Sequence, residues 1–219
     1  MAGAHAARAQ VSASVSVASD YRLRGVSLSG QRPVASLNLD YDHASGLYAG
    51  GSAIAEQPSD AGARILGHVE YLGFATHSDN GLSWDVGVKN QSATLYAARK
   101  QDLQYADIYV GAARDDLSLH VHYYPDHLSG SGSLVYLDLN GAIRQGDDWR
   151  LTGHVGVWTP IDGPGGRTGG RERYDLRLGV AREFKHCELT LGWTAAFPRL
   201  RPQFPQDSST LIAGATFFF

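Results

Sequence analysis

From Val11 to the carboxyl terminus, apolar and polar residues alternate with a period of two, which is the signature of strands that separate an apolar face from a wet one. In the first segment Val11, Ala13, Val15, Val17, Tyr21 and Leu23 fall on one face, and Ser12, Ser14, Ser16, Asp20, Arg22 and Arg24 on the other. The rule recurs where Leu82, Trp84, Val86 and Val88 oppose Ser83, Asp85 and Lys89, and where Leu117, Leu119, Val121 and Tyr123 oppose Ser118, His120, His122 and Tyr124. Read this way, the chain predicts twelve strands, at 11–24, 33–43, 46–56, 64–76, 82–95, 104–113, 116–125, 134–144, 149–159, 171–184, 186–197 and 209–219. Most reach about ten residues, the length a tilted strand needs to cross hydrocarbon, whereas strands of soluble proteins usually stop at about five or six.

The connections fall into two alternating classes. Short turns stand at 43–46, 78–81, 114–116, 145–148 and 184–186, and longer polar loops at 25–32, 57–63, 97–103, 125–133, 160–170 and 198–208. Short turns at one end and long loops at the other are characteristic of outer-membrane barrels, with the turns periplasmic and the loops extracellular. Aromatic residues on the apolar face gather near the strand ends. Tyr21, Tyr123, Tyr174 and Trp193 mark the long-loop side, and Tyr41, Trp84, Trp149, Phe217 and Phe219 the other, as expected of two interfacial girdles. The predicted fold is therefore all-β: a transmembrane, antiparallel, up-and-down β-barrel of about twelve strands. A soluble β-sandwich also alternates, but accounts for neither the strand length nor the sorted loops.

Composition narrows the reading. No apolar run approaches the ~18 residues of a membrane helix, so only a closed barrel leaves no backbone group unpaired in lipid. The 19 Lys+Arg against 22 Asp+Glu leave no cationic excess, and no nucleic-acid partner is expected. The single cysteine, Cys187, excludes an intramolecular disulfide and reads as a packing residue. Residues 1–10 read as the remnant of an export signal, with Ala7-Arg8-Ala9 before Gln10 fitting a small-residue cleavage site, and 11–219 as one barrel domain. The glycine-rich stretch Asp162–Gly170 reads as a mobile rim, lacking the helix and Lys-Ser/Thr of a phosphate-binding loop.

The stretch Ser19-Asp20-Tyr21-Arg22-Leu23-Arg24-Gly25-Val26-Ser27-Leu28-Ser29, with Pro33, Asp40-Tyr41 and Ser45-Gly46-Leu47-Tyr48-Ala49-Gly50 after it, resembles the opening of the proteobacterial TorF-type porin family. The likeness covers roughly the first fifty residues and beyond them is one of pattern. Leu28 departs from it, standing where a polar residue, usually Gln, is expected between the two serines. The resemblance implies an outer-membrane barrel of porin type and carries no substrate.

A Lys or Arg aimed at lipid near the midplane costs roughly 2–4 kcal/mol, so the polar face must line the lumen. That makes Asp20, Arg22, Arg24, Asp40, Glu70, Asp107, His120, His122, Asp138, Asp175 and Arg177 the pore-lining candidates, with His68, Asp85, Lys89, Tyr109, Tyr136, His154 and Trp158 beside them. Arg22 and Arg24, on adjacent inward positions of strand one, suit a carboxylate or phosphate, or else brace the wall. His120 and His122 at i and i+2, with His154, raise a metal site; without Cys or a fixed third ligand, no metal or cofactor is expected. Catalysis is not expected either: barrel enzymes that act on lipid carry Ser, His and Asn or Asp on the lipid-exposed rim, and here the strand histidines are read as inward. The expected function is passage or binding of small polar solutes in the bacterial outer membrane, against a structural or adhesive barrel plugged by its own side chains. Expected partners are membrane lipid, lipopolysaccharide and the barrel-assembly machinery, the last through the terminal strand ending at Phe219.

Overall fold

A computed structural model describes residues 9–57, 62–95, 101–125, 132–146, 148–161, 172–198 and 209–219. Its strands are β1 (Gln10–Ala18), β2 (Arg22–Leu23), β3 (Val26–Ser27), β4 (Val34–Asp42), β5 (Leu47–Glu56), β6 (Arg64–His77), β7 (Leu82–Leu95), β8 (Gln101–Arg114), β9 (Leu117–Tyr124), β10 (Leu134–Gln145), β11 (Trp149–Pro160), β12 (Arg173–Glu183), β13 (Cys187–Phe197) and β14 (Ser209–Phe218). From β4 to β14 each strand pairs with the next in sequence, β2 and β3 form a separate two-stranded hairpin, and β1 pairs antiparallel with both β4 and β14, which closes a twelve-stranded barrel without a free edge. Even the last residue is tied in: the Phe219 N–H donates to the Ala13 carbonyl at 3.0 Å.

Alternation becomes an outside and an inside. Leu37, Leu39, Leu72, Val86, Val88, Ile108, Val110, Leu119, Leu151, Leu178, Leu189 and Leu191 are all exposed, an arrangement that water would penalise and hydrocarbon favours. Tyr123 and Tyr174 stand exposed toward the long-loop end, and Tyr41, Trp84, Trp149, Phe217 and Phe219 at the short-turn end, so the girdles form as the pattern predicts. The short turns use left-handed residues where the chain must reverse at once. Gly81, at φ +81°, donates its N–H to the Ser78 carbonyl at 3.0 Å.

The structure corrects two parts of the reading. Strand one does not run to Arg24: β1 ends at Ala18, which pairs with Val34, and residues 19–33 leave the wall and fold into the lumen as the β2–β3 hairpin. Asp20, Arg22 and Arg24 therefore belong to an inserted segment and not to the wall. Tyr21 likewise packs against the interior core instead of standing in the outer girdle. The second correction lies at a β-bulge between β5 and β6, where Ile54 pairs with Gly67 but Ala55 with Ile65, leaving Leu66 as the extra residue. An extra residue reverses parity on one side of it. Ile65 faces out, Leu66 is buried inside, and His68 and Glu70, expected in the lumen, face outward with Leu72 and Phe74. In addition, β8 begins at Gln101, three residues before the predicted start. The leader reading covers residues 1–10, of which 1–8 lie outside the described residues while Gln10 already pairs with Asp42 in β1, and the glycine-rich rim at 162–170 lies outside them as well.

Candidate functional site

At the long-loop end the lumen is filled. The inserted segment is organised around Asp20, whose carboxylate accepts from Arg22 Nε at 2.6 Å, Ser27 Oγ at 2.5 Å and Ser29 Oγ at 2.9 Å. A buried carboxylate satisfied by one guanidinium and two hydroxyls fixes the loop's shape, because each of those groups would lose more by being buried alone. The Leu28 N–H donates to the Tyr21 carbonyl at 2.7 Å, closing the hairpin. Leu28 then packs with Val34, Ile54, Leu66, Leu103, Tyr105, Tyr124, Leu134, Tyr136 and Trp158 in one apolar cluster inside the barrel.

Arg24 reaches across the lumen. Its guanidinium carbon lies 4.3 Å from the Tyr124 ring centroid, 4.7 Å from Tyr136, 5.7 Å from Trp158 and 5.9 Å from Tyr105, a cation held by the faces of four rings. The tip demands unusual backbone: Arg24 has φ +49° and Gly25 φ +73°. A Cβ on Gly25 would meet Ala196 Cβ at 2.6 Å, so only glycine lets the tip touch the β13 wall. At the rim, Glu56 has no exposed side-chain surface and is gripped by Arg32 of the inserted segment at 3.0 Å and Arg64 of β6 at 2.7 Å. Sequence reasoning missed Glu56. The signal was a carboxylate on the lumen face at the end of a strand, with Arg32 closing one neighbouring connection and Arg64 following the other.

Below the stopper lies a belt of paired charge. Asp107 accepts from His122 Nδ1 at 2.8 Å and faces Lys89 Nζ at 3.7 Å; Asp85 accepts from Tyr48 at 2.9 Å and meets His120 Nε2 at 3.2 Å. His154 bridges Asp138 at 3.2 Å and Asp175 at 2.8 Å, with Asn140 at 2.9 Å. Asp40 accepts from the Tyr71 hydroxyl. The tyrosines lie flat across glycines of adjacent strands, as where Tyr109 Oη comes within 2.4 Å of a Cβ built on Gly87. Ten of the eleven predicted pore residues are thus inside, Asp40, Asp107, His120, His122, Asp138, Asp175 and Arg177 on the wall and Asp20, Arg22 and Arg24 on the insertion, and Glu70 faces outward. The three histidines weighed as metal ligands each engage carboxylates: His120 pairs with Asp85, His122 with Asp107, and His154 with two aspartates.

The facing wall differs. On β1 and β14 the lumen side carries small hydroxyl residues, with Ser16 and Thr216 3.0 Å apart and Asn38 of β4 donating to Ser14 at 3.1 Å, while β4 and β13 also bring in Asp40 and Glu188, the latter paired with Arg150. Thr190 of β13 and Arg177 of β12 point inward and yet remain exposed, so the short-turn half of the lumen is open to solvent. In chemical terms the interior carries charges of both signs on one wall and mainly hydroxyls on the other, and is filled at the long-loop end.

A twelve-stranded antiparallel barrel with an apolar exterior belt and a polar, charged interior is an outer-membrane-type barrel. Solved structures agree on the fold: a membrane protein from work on in-meso crystallization aligns over 95% of this chain and 83% of its own at 11% identity and a TM-score of 0.55. The Salmonella typhi outer membrane phospholipase (OMPLA) dimer with bound calcium aligns over 94% and 90% at 10% identity and a TM-score of 0.50. An active-site mutant of outer membrane phospholipase A from Escherichia coli aligns over 98% and 93%, also at 10% and 0.50. The chain belongs to Gcw_chp, a family of bacterial proteins of unknown function, whose profile matches residues 2–196. No functionally curated protein matches it.

Proposed function

We propose that this protein is an outer-membrane channel for small polar solutes whose extracellular mouth is closed by residues 19–33, leaving a water-filled vestibule toward the periplasm. One observation carries the reading: Arg24 is locked among four rings at one end of the lumen, while Arg177 and Thr190 stand in open space at the other. A lumen meant only to be filled gains nothing from a wet half lined by ionisable groups; a twelve-stranded barrel lies between the filled eight-stranded and the open sixteen-stranded cases. The resemblance of the opening residues to TorF-type porins supports the same assignment. The exposed apolar belt is the surface for lipid and lipopolysaccharide, and the last strand with Phe219 the element for the assembly machinery.

The dense pairing of His122 with Asp107 and of His154 with two aspartates favours one other reading, a structural barrel braced by its own side chains. Swelling of liposomes by graded sugars and amino acids separates the two when the wild type is compared with Asp20→Ala, which releases the stopper. The channel reading expects swelling in the variant to rise above the wild type; an equally impermeable variant whose stopper is shown to be undocked supports the structural barrel.

A further inference from the structure

Two arginines in the filled end of the lumen have no counter-charge of their own. Arg22 is held by Asp20 at 2.6 Å and donates to the Gly25 carbonyl at 2.8 Å, so it serves the inserted segment. Arg24 and Arg173 are placed differently. Among the described residues neither forms an ion pair: Arg24 lies among rings, and the guanidinium carbon of Arg173 stands 4.9 Å from the ring centroid of Trp158, its cross-strand neighbour. Arg173 is only 8% exposed, and its Nε is buried with no hydrogen-bond acceptor. Stacking on a ring uses the flat face of a guanidinium and leaves the N–H groups, which point outward in its plane, without acceptors. A buried cation in that condition is destabilising, and ring contact offsets only part of the loss.

The two cations converge. Both stand beside the one Trp158 ring, Arg24 at 5.7 Å and Arg173 at 4.9 Å from its centroid, and their charges act on the Tyr105 side chain and on each other. Like charges held together where water is scarce repel. The neighbouring carboxylates are engaged elsewhere. Asp175, two residues along β12, meets His154 at 2.8 Å and accepts from the Tyr136 hydroxyl at 3.2 Å. Asp107 accepts from His122 at 2.8 Å and faces Lys89 at 3.7 Å, and Asp138 accepts from Asn140 at 2.6 Å and meets His154 at 3.2 Å. Lys89 brings a further positive charge within the field of Arg24. Arg24 is half-buried, so an entering solute can reach the pair.

We propose that Arg24 and Arg173 share one oxyanion, the carboxylate or phosphate group of a small solute, bound between the inserted segment and the β12 wall. A guanidinium offers paired N–H donors that match the oxygens of such a group, and the Nε edge that Arg173 leaves without an acceptor is one that takes it side-on. The rings of Tyr105, Tyr124 and Trp158 suit an apolar body next to that charged group. Because Arg24 belongs to residues 19–33 and Arg173 to the wall, the anion also acts as a latch: it turns a repulsion between stopper and barrel into two attractions. The site is independent of whether the lumen conducts.

The test uses the full chain refolded in detergent, in a chloride buffer of constant ionic strength, titrated in a calorimeter with benzoate and separately with inorganic phosphate. Wild type is expected to bind at least one of them saturably, and the one bound tells carboxylate from phosphate. Arg173→Gln and Arg24→Gln are each expected to weaken that binding by at least about tenfold, and Arg182→Gln, on the outer face beside Trp149, to leave it unchanged. Hydrogen exchange across residues 19–33 is expected to slow in wild type at saturating anion and not to respond in Arg173→Gln, an effect that loss of the Trp158 contact alone would not produce. Folding of each variant is checked by the heat-dependent gel shift of a closed barrel. No saturable binding of either anion by folded wild type, or wild-type affinity in either lumen variant, overturns the proposal, and binding without slower exchange overturns the latch.

Discussion

The two ends of the lumen are built from one alternating pattern and behave oppositely. At the long-loop end, Tyr105, Tyr124, Tyr136 and Trp158 turn inward and close on a segment that is not part of the wall. Toward the short-turn end, the inward positions include Ser14, Ser16, Thr190, Thr216 and Arg177, which are partly or fully exposed, beside the paired Tyr48–Asp85 and Arg150–Glu188. Closure is therefore supplied by residues 19–33 and the rings that receive them, and not by the barrel's diameter. On the proposed channel reading, the wall decides what lines the lumen and a separate piece of chain decides whether it is open.

The strongest way to break this contrast is to remove the inserted segment. Since Ala18 and Val34 are cross-strand partners, a short Asn-Gly turn can join β1 directly to β4 in place of residues 19–33. Single-channel current is expected to rise by at least about tenfold, toward that of an unobstructed barrel. If current is unchanged, the wall itself closes the lumen and the contrast is void. Next in size is Asp20→Ala, which leaves Arg22 without the carboxylate it meets at 2.6 Å in a nearly inaccessible site. Removing one partner of a buried ion pair costs about 3–5 kcal/mol, enough to undock the hairpin while the barrel ladder stays intact. Trypsin added to intact cells or vesicles is expected to cut at Arg22 or Arg24 in the variant and to spare the wild type.

The barrel was largely legible in the sequence because alternation is enforced wherever oil lies on one side and water on the other. The 82–95 strand matches β7 at both ends, and the other predicted strands bracket their observed counterparts closely, apart from the first and the early start of β8. The failures share a physical cause. Alternation continues from Val17 through Asp20, Tyr21, Arg22, Leu23 and Arg24, but a hairpin packed inside a barrel also needs one apolar and one polar side, so the period alone does not separate wall from insertion. The run Arg24-Gly25, with positive φ at both residues, held the better signal, because a strand seldom tolerates that pair. His68 and Glu70 were misplaced because a bulge changes parity without changing composition. The adjacent apolar pair Ile65-Leu66, which breaks the alternation, was the trace it left. The ring cage around Arg24 depends on contacts with strands far apart in sequence, and no local pattern announces it.

Two smaller perturbations sharpen the comparison. Arg24→Leu removes the cation from the four-ring cage but keeps the stem that packs among the rings, so it isolates the cation–π contribution of about 1–2 kcal/mol for a desolvated pair. At about 1.4 kcal/mol per tenfold, the open fraction of recorded current is expected to increase roughly tenfold, well below the effect of Asp20→Ala. Arg177→Ala lies in the wet half, and its side chain is exposed, so unfolding stability should change by no more than about 0.5 kcal/mol and the closed state not at all. Its effect belongs to the opened barrel alone: with residues 19–33 excised, loss of this positive charge from the vestibule is expected to shift the reversal potential toward cation selectivity. A shift of equal size in the stoppered protein would mean that ions already pass, and that the upper lumen selects nothing.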